Sequence, residues 1–269
     1  MKGKIFVAIL FITISGCSII NQNKEFSARE EILVFVHGAH LTSNSWFSTA
    51  KILKSVGFDS ISINLPGRNP SDNPNKITLN LSSQALCDAI KNIDSPIVLI
   101  AHSQGGAISN NAFSLCPKGN IKSIIYIAAV APIDGDTPYS VLSKADESNY
   151  LKGINYDDDS GWMIINDKTS FVSVFTSSKS TVIAEAIMGQ AVNEPAIIGE
   201  GIVHYNTDYF AKLNKFYIHT KFDKIISMES QETIASRIEL DRSVTIDTGH
   251  LPMLSSPELL AREIENILN

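Results

Sequence analysis

One stretch of this 269-residue chain has the residue types and spacing that a reactive hydroxyl needs: Ile100-Ala101-His102-Ser103-Gln104-Gly105-Gly106. It follows an apolar, β-type run and opens a helical pattern, so it predicts a tight strand-to-helix turn with Ser103 at its apex. Such a turn lifts the hydroxyl above a sheet and sets it at the positive end of a helix. Small residues two before and two after the serine allow the close backbone approach. Gly105 meets that need, and Ala101 stands where glycine is usual.

A serine hydroxyl is a weak nucleophile until a base takes its proton. Six histidines are available: His37, His40, His102, His204, His219 and His250. In an alternating strand–helix chain, the acid and then the histidine follow the serine, each just beyond a strand end. His250 fits, in Thr248-Gly249-His250 after the strand-like SVTID. Asp223 fits as the acid, in Thr220-Lys221-Phe222-Asp223 after FYIH, with Asp247 as second candidate, too close to His250 in sequence to orient its ring easily. His219 reads as a packed strand residue, and His204 as at most a substrate contact. A developing oxyanion needs fixed N–H donors. Val36-His37-Gly38-Ala39-His40 ends the first strand and supplies one from Ala39, and Gln104, after the serine, supplies the other. Gly38 lets this loop turn, and His37 braces it. This is acyl-transfer chemistry, and it calls for no metal and no organic cofactor.

The elements that must position these residues alternate. Strands are expected at Ile32 to Val36, Ser60 to Asn64, Pro96 to Ala101, Ile121 to Ala129, Phe216 to His219 and Ser243 to Ile246. Helical spacing fills the intervals: Trp46 to Val56, Leu79 to Ile93, Gln104 to Leu115, Met228 to Ile238, and Pro257 to Leu268 with Ser256 as N-cap. The fold class is α/β, a doubly wound, mostly parallel sheet of about six strands. Residues 31–130 and 214–269 form its core. Residues 131–213 break the rhythm and read as an inserted helical cap over the serine. Aromatic candidates to line a pocket beneath it are Tyr139, Trp162, Phe171, Phe175 and Tyr205.

With 44% hydrophobic and 19% charged residues and a net charge of −6, the chain is a packed globular protein without a nucleic-acid surface. Three cysteines are too few for a zinc cage or a disulfide scaffold. Residues 1–16 (MKGKIFVAILFITISG) have a basic start and a short apolar core, the anatomy of a signal peptide. Ile14-Ser15-Gly16-Cys17 resembles the bacterial lipoprotein box, which implies cleavage before Cys17, its acylation and a membrane anchor. Residues 17–30 then form a tether, and the expected location is the cell envelope, at the outer membrane or its periplasmic face where one exists.

Serine, acid and histidine in this order, with the HG loop, resemble the α/β-hydrolase superfamily. Val34-Phe35-Val36-His37-Gly38-Ala39-His40 with Trp46, and the run Asp247 to Pro257, resemble its methylesterase and hydroxynitrile-lyase branch, which also lacks the usual leading hairpin. Lyases of that branch carry threonine where this chain has Gly38 and lysine where it has Leu251, so the resemblance implies an esterase. Gly38, His40, Trp46 and Leu251 are expected to contribute the core side of the pocket. The expected activity is hydrolysis of small to medium esters through Ser103, His250 and Asp223. A thioesterase, amidase or lipase on the same triad, or a lipoprotein that only binds a ligand, remains an alternative. The superfamily's strand order would also place the helices carrying Cys87 and Cys116 side by side. An even cysteine count after Cys17 is acylated invites a bridge, and the axial offset between the two positions opposes it.

Overall fold

The computed structural model describes residues 29–116, 120–176 and 180–269. The expected signal segment, Cys17 and most of the tether lie outside the described residues. Nine strands and ten helices, with short 3₁₀ turns between them, follow in chain order among the described residues. They are β1 (Ile32–Val36), α1 (Phe47–Ser55), β2 (Asp59–Ile63), α2 (Leu79–Ile90), β3 (Ile97–His102), α3 (Gly105–Leu115) and β4 (Ile121–Ile127). Next come α4 (Lys144–Tyr150), β5 (Ile154–Asp157), β6 (Trp162–Ile165), α5 (Lys168–Phe175), α6 (Thr181–Met188), β7 (Glu194–Pro195) and α7 (Thr207–Ala211). The chain closes with β8 (Asn214–Thr220), α8 (Met228–Ser236), β9 (Arg242–Ile246), α9 (Pro252–Ser255) and α10 (Pro257–Leu268).

Six strands form one sheet in the order β2-β1-β3-β4-β8-β9, every neighbouring pair parallel. The residue types explain the order. ILVFV in β1 and IVLIAH in β3 are near-continuous apolar runs, and both strands are almost wholly buried, as strands covered on both faces must be. DSISI in β2 and RSVTI in β9 carry polar residues and expose most of their length, which suits the two edges. Gly57 at φ +97° ends the first helical run, and Pro257 opens the last with Ser256 at the cap position.

Between β4 and β8 the chain builds α4 to α7 together with a three-stranded antiparallel sheet, β5-β6-β7. Those strands have four, four and two residues, too short for alternation to be read from sequence. Cys87 of α2 and Cys116, just past α3, are joined as a disulfide with Cα atoms 4.9 Å apart. Ser83 Oγ donates to the Ile108 carbonyl at 2.9 Å, so the two helices run close and in a register that brings Cys87 within a turn of Cys116.

Candidate active site

The chain winds from β1 out to β2 and then back past β1 to β3, so the sheet changes direction between β1 and β3. At that switch the connections diverge and leave a crevice at the strand ends. The HG loop leaves β1 there and the Ser103 turn leaves β3, so the two are neighbours by topology. Among the described residues, three other than glycine have left-handed backbones: His40 (φ +61°), Ser103 (φ +51°) and Ala128 (φ +41°). They follow β1, β3 and β4, three adjacent strands, so the strained backbone is concentrated on this rim of the sheet.

The turn is held rigidly. Ser103 N–H donates to the Ile127 carbonyl at 3.2 Å, and its own carbonyl accepts from Gly106 N–H at 2.9 Å and Val130 N–H at 3.0 Å. Two glycines let it nest against the HG loop. A Cβ on Gly38 would lie 2.6 Å from Ser103 Cβ, and one on Gly105 would lie 2.7 Å from the Val36 carbonyl oxygen. Ala101, at the position where glycine is usual, is fully buried in β3 without a left-handed backbone.

The loop after β9 brings His250 to the serine, and the loop after β8 brings Asp223 to the histidine. Asp223 Oδ2 accepts from His250 Nδ1 at 2.7 Å, and His250 Nε2 lies 3.0 Å from Ser103 Oγ. Since a carboxylate only accepts, Nδ1 carries the ring proton, and Nε2 is left to accept from the serine hydroxyl. All three side chains are nearly buried. The carboxylate is itself oriented: Oδ1 accepts from the N–H groups of Ile225 at 2.7 Å and Ile226 at 2.9 Å, and Oδ2 also accepts from Thr220 Oγ1 at 3.0 Å. Behind that loop the buried Gln231 of α8 accepts from Thr220 N–H and donates to the carbonyls of Thr220 and Ile226. Asp247 instead pairs with Lys221 at 3.2 Å on the surface, away from the histidine.

Ser103, Ala39 and Gln104 share a cavity of about 40 Å³ with Val130, Pro138, Tyr139, Leu142, Tyr150, Ile225 and Ile226. Tyr139, Leu142 and Tyr150 also border an outer cavity of about 330 Å³, whose other walls include Leu151, Tyr156, Met163, Glu147 and Glu200. The first is too small for more than a few atoms; the second has the size of a small-molecule site. Burial pushes the Tyr139 hydroxyl well above its ordinary pKa, and the charges of Glu194, Glu200 and Glu147 add to the shift.

The remaining histidines divide by surroundings. His37 donates from Nδ1 to the Gly38 carbonyl at 2.9 Å and accepts at Nε2 from Leu65 N–H at 3.1 Å, bracing the HG loop against the segment after β2. Burial, with the Arg68 charge second, lowers its pKa to about 3. His102 donates from Nε2 to the His250 carbonyl at 2.8 Å, and burial, then the nearby His250, holds its pKa well below 6.5. His219 is buried in β8 against Tyr217, and His204 is exposed beside Asp134, away from the serine.

Of the expected pocket residues, Tyr139 lines both cavities. Gly38 packs on the turn itself. His40 is wholly buried, with Nδ1 donating to the Val192 carbonyl at 2.9 Å and Nε2 accepting from Tyr150 at 2.7 Å. Trp46 is core, stacked on Phe35, and Leu251 is core beside α9. Phe175 stacks on Phe171 and meets the His250 ring edge-on, and both phenyl rings also meet His40 edge-on. Trp162 borders a different cavity with Arg68 and Val192, and Tyr205 stacks on Phe210. These placements follow from packing between distant segments, which leaves no local signal. The same holds for Tyr150, Leu142, Ile225 and Ile226, which line the serine's cavity without any motif to mark them.

Residues 33–263 match the model of the alpha/beta hydrolase family. A putative chloroplastic methylesterase of Arabidopsis thaliana is 25% identical over 243 residues, covering 84% of this chain and 69% of that protein. Among solved structures, polyneuridine aldehyde esterase superposes with a TM-score of 0.76 at 20% identity, over 90% of this chain and all of that one. An extracellular alpha/beta-hydrolase from a Paenibacillus species gives the same TM-score at 21% identity, over 87% of this chain and 98% of its own. A parallel six-stranded sheet, a serine on a strained turn at its switch point and this similarity agree: the chain belongs to the alpha/beta hydrolase family.

Proposed function

We propose that this esterase-type hydrolase is a serine carboxylester hydrolase. Ser103 attacks the acyl carbon while His250 takes the hydroxyl proton at Nε2, and Asp223 keeps the ring in the right tautomer and stabilises the imidazolium. The N–H groups of Ala39 and Gln104 receive the charge that develops on the carbonyl oxygen. His250 then returns the proton to the leaving alcohol, and water cleaves the acyl-enzyme by the same steps in reverse. The observation that carries this reading is the continuous path from Ser103 Oγ through His250, at 3.0 Å, to Asp223, at 2.7 Å. The small cavity holds the reacting ester group, and the outer one receives a bulky apolar substituent.

The test is hydrolysis of a panel of p-nitrophenyl esters of increasing chain length, with a thioester and an amide of the same acyl group. Ser103→Ala is the control. Ester turnover that falls at least about 10³-fold in the control is expected. Preferred cleavage of the thioester or amide would move the assignment to that leaving group. From the lipoprotein-like box we also infer acylation at Cys17 and an envelope anchor. Metabolic labelling with palmitate, lost in Cys17→Ser, is the result that supports it.

A further inference from the structure

Two buried carboxylates of the segment inserted between β4 and β8, Asp146 and Glu194, reach core residues, and Glu194 does so beside Ser103's turn. Glu194 of β7 is 2% exposed, and its oxygens meet groups from three separate core segments. Oε2 accepts from His40 N–H at 2.9 Å, and Oε1 accepts from the Gln104 side-chain amide at 3.1 Å. Arg68, from the loop after β2, closes on both oxygens as a fork, with NH2 at 3.0 Å from Oε1 and NH1 on Oε2. Gln104 carries one of the two N–H donors assigned to the oxyanion, and His40 directly follows Ala39, which carries the other.

His40 depends on the insertion for its conformation. Its backbone is left-handed, which is uncommon for a residue with a side chain. Its N–H goes to Glu194, its carbonyl accepts from Val192 N–H at 3.0 Å, its Nδ1 donates to the Val192 carbonyl, and its Nε2 accepts from Tyr150. Each of its four polar groups is therefore satisfied by the insertion. Released from them, the loop would lose the contacts that offset its strain, and the direction of the Ala39 N–H would relax with it.

We infer that Glu194 is a positioning residue for the oxyanion hole, so that docking of the inserted segment sets the two donors and does more than cover the serine. A carboxylate this near a developing negative charge would oppose catalysis if it stood alone. The bidentate Arg68 neutralises it, which is why the two occur together. The inference rests on the serine-esterase reading.

The experiment compares wild-type protein with Arg68→Met, Glu194→Gln and the double variant. It measures kcat and KM on a short p-nitrophenyl ester, affinity for a trifluoromethyl ketone that forms the tetrahedral adduct, and folding by near-ultraviolet circular dichroism. The double variant buries no unpaired charge. In it kcat should fall about 10- to 100-fold with KM nearly unchanged, less than the 10²- to 10³-fold cost of deleting a donor outright. Affinity for the ketone should fall by the same factor as kcat/KM. Arg68→Met alone should be slower than the double variant, because it leaves the carboxylate unneutralised. A folded double variant with kcat within twofold of wild type overturns the inference, as does a loss confined to KM with ketone affinity intact. Should the double variant not fold, Gln104→Met decides the matter, since it keeps the ion pair and the backbone N–H and removes only one contact of Glu194. A matched drop in kcat and ketone affinity supports the inference, and unchanged values overturn it. Failure of the esterase reading itself would look different: wild-type protein would hydrolyse no ester, and a fluorophosphonate would not label Ser103.

Discussion

The residue before Ser103 holds the loop that carries His250: His102 Nε2–H donates to the main-chain carbonyl of His250 at 2.8 Å. The two rings also lie 4.7 Å apart, so His102 supports His250 from below while Phe175 walls it from the side. Both Ser103 and His250 are thus fixed from one strand, β3, whose last residue is His102. His102→Leu should keep the fold and lower kcat roughly tenfold through a less well placed imidazole. Steady-state kinetics beside a thermal melt would separate that effect from unfolding. Unchanged kcat in a folded variant would show that the carbonyl contact is dispensable.

Asp223 and Asp247 can be told apart by charge-neutral substitution. Asp223→Asn should cut kcat by about 10³ to 10⁴, because an amide there favours the wrong tautomer of His250. Asp247→Asn should stay within about twofold, since its partner is Lys221 on the surface. The reverse ranking in kcat would reassign the acid.

Gln231 makes four hydrogen bonds to Thr220 and Ile226 around the Asp223 loop. Gln231→Leu leaves buried groups of that loop unpaired, which should destabilise the protein by about 1–3 kcal/mol. The kcat/KM profile across the ester panel is the more specific readout, because a looser Asp223 holds the His250 ring less well. A profile identical to wild type would show that the Asp223 loop holds its place without Gln231.

Stability should rise with pH between about 4 and 6.5. His40 is held neutral by burial, its pKa lowered from 6.5 to about 4, and His37 is lowered to about 3. In the unfolded chain both protonate near 6.5, so below that value the unfolded state binds more protons than the folded one. Their contribution is therefore complete above pH 6.5 and is lost as the pH falls toward about 4, at roughly 1 kcal/mol per pH unit for each ring. Urea unfolding at pH 7 and pH 5 checks the sign, and equal or greater stability at pH 5 contradicts it.

Cys87 and Cys116 are 29 residues apart, and closing a loop of that size should contribute roughly 3 kcal/mol. Mass spectrometry of the unreduced, alkylated protein should find neither cysteine modified. The double serine variant should unfold at lower urea concentration.

The outer cavity should set substrate preference. Tyr139→Ala should broaden the accepted chain length without abolishing attack on p-nitrophenyl acetate, because the side chain stands between the two cavities. The carboxylates Glu147 and Glu200 at the outer cavity should disfavour anionic esters against neutral isosteres, an effect that weakens with added salt. Activity lost equally on every ester would instead indicate a folding defect.

Much of the candidate site is legible in the sequence, because the chemistry it offers is tied to local residues. A nucleophile turn needs an apolar strand before it, small residues around the serine and a helix after it, and Ile97 to Leu115 writes all three into adjacent positions. Asp223 and His250 each follow a β-rich run, so strand-end logic finds them although they lie far apart in sequence. Parallel strands buried on both faces, such as β1 and β3, announce themselves by composition alone. What the tertiary structure alone decided is which distant side chains meet. Glu194, Arg68 and Gln104 lie on a cap strand, a core loop and the nucleophile turn, and no spacing links them. Nor does sequence say that His40 anchors the insertion while Tyr150 lines the cavity, or that Trp46 and Leu251 belong to the core. Such contacts depend on how the insertion docks, and docking is settled by the summed packing of short elements whose individual patterns are too weak to read.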